Sequence, residues 1–246
     1  MFSFFHKKSK PVPLDLSIIG TDMHSHLLPG IDDGSPDTAT SLQLIRGLED
    51  LGYSRLITTP HVLWDLYRND DASIEAAELE LRVAAEGKDM VLRSAAEYML
   101  DEHFSLLVRD KQPLRTLAGN YVLVEFSFVS LPFDWKQVFF DLQINGYQPV
   151  LAHPERYTYL MGQTGIYEEI SAMGVLLQLN INSLTGYYGK PALSLAKHLV
   201  KHKLVHFLGT DLHHSRHLDA IRQSDTLMPL VQEIAGSGNL MNEKLV

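Results

Sequence analysis

The chain of 246 residues carries 21 basic and 30 acidic side chains, a net charge of −9 with its twelve histidines neutral, and 45% of its residues are hydrophobic. That balance is globular rather than disordered, and the acidic surplus argues against nucleic-acid binding, which neutralises phosphates with Lys and Arg. No cysteine is present, which excludes disulfide scaffolds, cysteine-ligated metals and thiolate nucleophiles.

In chain order, residues 1–16 run Met1-Phe2-Ser3-Phe4-Phe5-His6-Lys7-Lys8 and on past Pro11 and Pro13. They turn basic before the apolar core of a signal peptide could form, so they read as a flexible N-terminal arm on a cytoplasmic protein. No run reaches the roughly 18 apolar residues of a membrane span, and no stable membrane insertion is expected. A strand is expected over 17–23. A helix follows over 36–51, with Ser35 as N-cap, Pro36 in the first helical position and Gly52 past its end. Leu42, Ile45, Leu48 and Leu51 recur at helical spacing and mark its buried stripe. Next come strands over 54–58 and 91–95 around a helix over 72–86. The strand over 121–125 precedes a helix over 134–145, in which Phe139 and Phe140 both read as core-facing. Strands over 149–152, 175–179 and 205–209 then alternate with helices over 165–173 and 191–202.

No two-residue hairpin turn separates alternating runs, so the strands are expected to be parallel. The absence of G-x-G-x-x-G after the first strand disfavours a doubly wound sheet. The fold class that results is α/β: a single-domain, distorted (β/α)7 TIM-like barrel over residues 17–235, followed by a C-terminal tail over 236–246.

Metal-competent residues gather where these strands end, which in a β/α barrel is the catalytic face. The first strand runs into Asp22-Met23-His24-Ser25-His26 and then Asp32-Asp33; the second ends in Thr58-Thr59-Pro60-His61, the third in Ala96-Glu97, and the fourth in Glu125-Phe126. His153-Pro154-Glu155-Arg156 follows the fifth, and Thr210-Asp211-Leu212-His213-His214 the last. Side chains alternate along a strand, so His24 and His26 project together, as do Asp211 and His213. Mixed imidazole and carboxylate donors suit zinc, manganese or iron, whereas all-oxygen donors would suggest magnesium or calcium. Taken singly, each element is weak. Asp32-Asp33-Gly34 reads equally as a turn, Arg156 as a partner of Glu155, and the segment Trp64-Asp65-Leu66-Tyr67 as a packed loop or a wall of the site. The conjunction is what points to a metal centre. His6, His103, His198, His202, His206 and His217 lack such placement and read as structural or solvated. His214, adjacent to His213, points the other way and is left out of the ligand set.

The motifs are D-M-H-S-H-L-L-P-G-I-D-D-G, T-T-P-H, A-E-Y, V-E-F-S, A-H-P-E-R-Y and G-T-D-L-H. Over about residues 19–229 the sequence resembles the polymerase-and-histidinol-phosphatase (PHP) superfamily. Within it, the likeness is to the metal-dependent protein-tyrosine phosphatases of the CpsB/CapC type, from bacterial capsule and exopolysaccharide operons. The arm departs from that family's usual start. The resemblance implies a PHP-type barrel holding three divalent ions, manganese first, with iron or zinc as alternatives. His24, His26, Glu97 and Asp211 would hold one ion; Glu97 would bridge to a second bound by Glu125 and His153; Asp33, His61 and His213 would hold the third. Arg156 and Arg216 would grip the phosphate while metal-bridging hydroxide attacks phosphorus. The implied substrate is the phosphotyrosine-bearing tail of a bacterial tyrosine autokinase that controls polysaccharide synthesis, and the implied location is the cytoplasm. Two alternatives share parts of the motif set: a phosphatase of a small molecule such as histidinol phosphate, and a metal-dependent amidohydrolase.

Overall fold

In the computed structural model, which describes residues 13–85 and 91–245, nine short strands pair in parallel throughout. They are β1 (Thr21–Asp22), β2 (Arg55–Thr58), β3 (His61–Val62), β4 (Val91–Ser94), β5 (Glu97–Met99), β6 (Tyr121–Glu125), β7 (Gln148–Leu151), β8 (Leu176–Asn180) and β9 (Phe207–Gly209). One sheet has the order β1-β2-β4 and the other β3-β5-β6-β7-β8-β9. The two are one ring interrupted twice. Pro60, which has no N–H to give a ladder, separates β2 from β3. Ala95 N donates to Thr58 O (2.8 Å) and Glu97 N to Pro60 O (3.0 Å), so the pairing continues across both breaks. A bridge between Ser25 and Leu212 joins the continuation of β1 to that of β9. His26 N donates to Leu212 O (2.9 Å) and Asp211 N to His24 O (2.7 Å) at this seam. The seven expected strands are thus the seven staves of a distorted (β/α)7 barrel.

Five of the helices fall where periodicity places them: α1 (Thr38–Asp50), α2 (Asp71–Ala84), α4 (Trp135–Ile144), α5 (Gly165–Ala172) and α7 (Gly189–Lys201). Four more were not anticipated: α3 (Glu102–Arg109), α6 (Ile181–Thr185), α8 (Ser215–Arg222) and α9 (Leu227–Gly236). The N-cap of α1 is Asp37 rather than Ser35, its carboxylate accepting from Thr40 N at 2.7 Å. A charged acceptor suits the positive helix end better than a hydroxyl, and Ser35 is instead buried, donating to Asp37 O. Gly52 follows the helix at φ +102°, a conformation that glycine adopts without strain. Phe139 is buried, but Phe140 is 54% exposed, contrary to expectation. Adjacent helical residues point about 100° apart, so one narrow core face cannot take both.

Alternation along the strands divides the core in two. Leu56, Val122, Val124, Leu151 and Leu208 face the outer helices. Ile57, Leu123, Val150 and Phe207 point into the ring with Met23, Ala95 and Leu245. Leu245 comes from the expected tail, which is therefore no loose end. Asn242 accepts from Leu208 N (2.9 Å) and donates to Thr21 O (2.9 Å) and Leu208 O (2.7 Å), stitching residues 241–245 across β1 and β9. Of the expected arm, residues 1–12, His6 among them, lie outside the described residues. Leu14 packs on the core and Leu16 is buried within it. Among the described residues no helix is long and apolar enough to cross a membrane.

Candidate metal centre

Two glycines let the first strand's histidines sit where they do. A Cβ on Gly209 would lie 2.6 Å from His24 Cβ, and one on Gly34 would lie 2.3 Å from His26 O. His153 (φ 31°) and Asp211 (φ 50°), at the ends of β7 and β9, adopt left-handed conformations that side chains rarely take. The strain turns both side chains inward at the C-terminal mouth of the barrel.

The proton on His24 is set by a chain of amides anchored at both ends. Asp211 Oδ2 can only accept, so Asn180 presents Nδ2 to it (2.7 Å) and Oδ1 to Gln178 Nε2 (2.9 Å). Gln178 Oε1 then accepts from the backbone N–H of His153 (3.1 Å) and from His24 Nδ1 (2.9 Å). His24 therefore carries its proton on Nδ1 and turns the Nε2 lone pair to the centre. Asp32 Oδ2 does the same for His26 Nδ1 (2.8 Å), and the carbonyl of Asp211 for His213 Nδ1 (2.9 Å). Such outer contacts are how metal-binding histidines are oriented.

Glu97 lies at the hub. Its Oε2 is 3.1 Å from His61 Nδ1, 3.2 Å from His24 Nε2 and 3.4 Å from His26 Nε2. Its Oε1 lies 3.0 Å from His153 Nε2, and that nitrogen also lies 3.4 Å from Glu125 Oε1. Asp211 Oδ1 is 3.4 Å from His26 Nε2 and 3.5 Å from His24 Nε2. Asp33 Oδ1 stands 3.5 Å from His61 Nε2 and 3.6 Å from His213 Nε2. All nine anticipated imidazoles and carboxylates thus converge. Asp33, not Asp32, faces the cavity, because Asp32 is spent on His26 Nδ1, Gly34 N and His61 N.

The electrostatics call for cations. Burial works against ionisation of Glu97, yet His24, His61 and the His153 hydrogen bond hold its pKa well below the usual range. Asp211 is depressed in the same way, burial being outweighed by His24 and His213. His24 and His26 are raised despite their burial, by Glu97 and by Asp32 respectively. Burial and the Glu97 charge push Glu125 up, and burial takes His153 down to about 4. Glu97 Oε2, fully buried, has no hydrogen-bond partner among the described residues. An acceptor orphaned among imidazole lone pairs is what a divalent ion would satisfy. Donor atoms of His24, His26 and Glu97, of His61, Glu97 and Glu125, and of His26, Asp33, His61 and His213 lie close enough to share ions. The residues present fit a multi-metal centre.

Arg156 Nη1 donates to Asp211 Oδ2 at 2.7 Å, and its guanidinium lies 4.7 Å from the Phe128 ring centre and 4.3 Å from that of Tyr188. It is not the partner of Glu155, which is buried and accepts from Asn180 N (3.0 Å) and Ser183 Oγ (2.6 Å). Arg216 is exposed in the first turn of α8, and the cavity is not lined by it. That cavity, of about 350 Å³, has Leu63, Leu66, Tyr67, Met99, Phe128 and Tyr188 as its apolar walls. Trp64 turns away from it and stacks on His103, ring centres 3.9 Å apart.

Residues 20–224 match a family model described as capsular polysaccharide synthesis, CpsB/CapC. The chain belongs to the CpsB/CapC family. The tyrosine-protein phosphatase YwqE of Bacillus subtilis (strain 168) is 31% identical over 194 residues, covering 78% of this chain and 76% of the relative. A solved chain from the crystal structures of YwqE and Streptococcus pneumoniae CpsB, described as unique metal-dependent tyrosine phosphatases, superposes with a TM-score of 0.72 at 29% identity. It covers 88% of this chain and 85% of its own. The histidinol phosphate phosphatase of Lactococcus lactis, solved with zinc, L-histidinol and phosphate, gives a TM-score of 0.53 at 13% identity over 89% and 92%. That likeness is one of fold.

Several residues of this CpsB/CapC chain that shape the site were not singled out from sequence. Gln178 and Asn180 had a visible signal, as polar residues at alternate positions of the apolar run Leu176-Leu177-Gln178-Leu179-Asn180. Phe128 and Tyr188 lie in loops and had none. His217, set aside as structural or solvated, accepts from His213 N through Nδ1 (3.3 Å) and lines the cavity; burial and then His214 push its pKa down to about 3.

Proposed function

We propose that the chain is a metal-dependent phosphatase that hydrolyses phosphotyrosine on proteins. The observation that carries this reading is one cavity lined by Asp33, His61, Glu125, His153, Asp211 and His213 of the donor cluster, by the stacked Arg156 guanidinium and by an apolar wall. His24, His26, Glu97 and Asp211 would hold one divalent ion, Glu97, Glu125 and His153 a second, and Asp33, His61 and His213 a third. Manganese is the ion assigned; iron and zinc accept the same donors. When bound, such ions offset the charge of a phosphate dianion and lower the pKa of water toward neutrality.

The chain's own groups do the rest. A guanidinium has five N–H donors in a planar fork. Arg156 spends Nη1 on Asp211, and Phe128 and Tyr188 hold the fork flat so that its other donors can meet nonbridging phosphate oxygens. Arg216, outside the lining, adds positive field at the mouth. Leu66, Tyr67, Met99 and Phe128 offer apolar surface to a phenyl ring. Phenolate leaves with a pKa of about 10, so little help is needed from a general acid. A phosphocysteine route is closed to a chain without cysteine. The partner we assign is the flexible phosphotyrosine-bearing tail of a bacterial tyrosine autokinase controlling capsular or exopolysaccharide synthesis, met in the cytoplasm. A disordered tail can enter a barrel mouth without remodelling the kinase core.

The test is a matched pair of peptides bearing phosphotyrosine or phosphoserine, with histidinol phosphate alongside, each at equal manganese and with chelator. Faster phosphotyrosine turnover, abolished by chelation, is expected. Equal or faster phosphoserine turnover would refute the tyrosine assignment, and preference for histidinol phosphate would return the small-molecule alternative.

A further inference from the structure

Away from the strand ends, α5 and α7 bring together three more donors. His198 in the last turn of α7 and His202, the residue that caps it, stand four residues apart and so share a face. Both address Glu168 of α5: His198 Nε2 lies 3.4 Å, and His202 Nδ1 3.3 Å, from the same oxygen, Oε1. The two rings stack with centres 4.1 Å apart and planes 23° from parallel, and the buried ring of Tyr167 lies behind His198 at 6.1 Å. One donor atom from each of the three residues lies within 4.8 Å of the others. His198 Nε2 and Glu168 Oε2 are shielded from solvent, and neither has a hydrogen-bond partner among the described residues.

Ion pairing alone accounts poorly for this arrangement. Neutral imidazoles could each turn an N–H to Oε1, yet His198 Nε2, 3.4 Å away and shielded from solvent, makes no hydrogen bond to it. A nitrogen that instead holds its lone pair toward a carboxylate oxygen is repelled by it. A single divalent cation removes that conflict by accepting two imidazole lone pairs and one carboxylate oxygen. We propose that Glu168, His198 and His202 form a second, peripheral site for one divalent transition-metal ion, and that the ion pins α5 to α7. Two imidazoles with one carboxylate disfavour magnesium and calcium, and on such donors zinc binds more tightly than manganese. His202 is 42% exposed and Glu168 43%, which leaves room for water to complete a tetrahedral shell. The site shares no residue with the barrel mouth, and the inference does not depend on the phosphatase reading.

The probe is zinc chloride. Manganese-loaded protein is dialysed to equilibrium at micromolar free zinc, and zinc per chain is measured for wild type, Glu168→Gln, His202→Gln and the His198→Gln/His202→Gln double variant. The double variant is expected to hold one zinc fewer than wild type, and each single variant to need more zinc for the same occupancy. Turnover with manganese alone should be equal in all four. Zinc should also raise the Tm of wild type by more than that of the double variant. If the double variant does not fold, the single variants carry the same comparison. Equal zinc content and equal zinc affinity in wild type and variants would overturn the proposal. So would a loss of zinc matched by a loss of manganese turnover, because the missing ion would then belong to the barrel centre.

Discussion

Replacing Gln178 by Leu tests whether the amide chain, rather than the inner donors alone, makes the centre competent. The substitution leaves His24 Nδ1, the His153 N–H and Asn180 Oδ1 without the partners they have in the fold. Each buried group left unpaired costs about 1–3 kcal/mol. His24 has a way to escape that penalty: moving its proton to Nε2. The proton would then occupy the nitrogen that faces Glu97 and Asp211, 3.2 and 3.5 Å away, and a metal ion would have to displace it. At about 1.4 kcal/mol per tenfold change, the penalty becomes a fall in metal affinity of roughly 10- to 100-fold, in line with the loss of other outer-contact residues. Gln178→Glu separates this effect from simple repacking. A carboxylate can still accept from His24 Nδ1 and His153 N and loses only the donation to Asn180. The assay is a manganese titration of chelator-stripped protein, reading bound metal and phosphotyrosyl-peptide turnover together. Gln178→Leu should need the higher metal concentration yet regain kcat close to wild type at saturation, with Gln178→Glu binding more tightly than the Leu variant. Unchanged metal affinity in Gln178→Leu would refute the argument, as would a kcat that stays low at saturating metal.

Arg156→Ala should keep its metal and lower kcat/KM by one to two powers of ten, since a charged hydrogen bond is worth roughly 1.5–3 kcal/mol; Arg156→Lys should recover part, and unaltered kinetics would reduce Arg156 to a brace for Asp211. Because Glu97 and Asp32 raise His24 and His26 above the ordinary histidine value, protons should begin to compete with metal above that value. Activity is expected to fall on acidification and to return when manganese is restored at neutral pH; a maximum below the ordinary histidine pKa of about 6.5 would contradict this. Burial pushes Glu155 from 4.5 up to about 7, so between those values the folded state keeps a proton that the unfolded chain has lost. Stability of the metal-free protein should then fall as pH rises through that window, by roughly 3 kcal/mol in all. Denaturant melts across it should show the slope in wild type and a flatter one in Glu155→Gln, and identical slopes would dismiss the group.

How far the site could be read before any fold was known depends on how local each signal is. The nine inner donors were legible because each sits within a few residues of an apolar run, and strand ends in a parallel barrel share one face. The strand breaks were not read from sequence, although Pro60 lies at one of them. Nor was α6, being a five-residue helix that starts directly at the end of β8. α8 hid behind the His213-His214 pair just before it, which drew attention to chemistry although His217, Leu218 and Ile221 form a buried helical stripe. The polar segment after α9 concealed Asn242, whose partners Thr21 and Leu208 are far away in sequence. Asp32 and Asp33 could not be told apart, because neighbouring carboxylates in one turn differ only in what they meet; the hydrogen bond from Gly34 N turns one back towards His26 and leaves the other facing the cavity.

Gln178 is the instructive intermediate. Its parity with Asn180 on an apolar strand says that both point inward, and an inward amide must find partners. The sequence could not show that its partner is His24, 154 positions earlier. Only the closing of the ring, β9 against the continuation of β1, brings that histidine beside β8. Polar residues at inward positions of otherwise apolar strands can therefore be marked in advance as supports of a barrel-mouth site. Which histidine each one orients is decided by the barrel's closure and by nothing local to the strand.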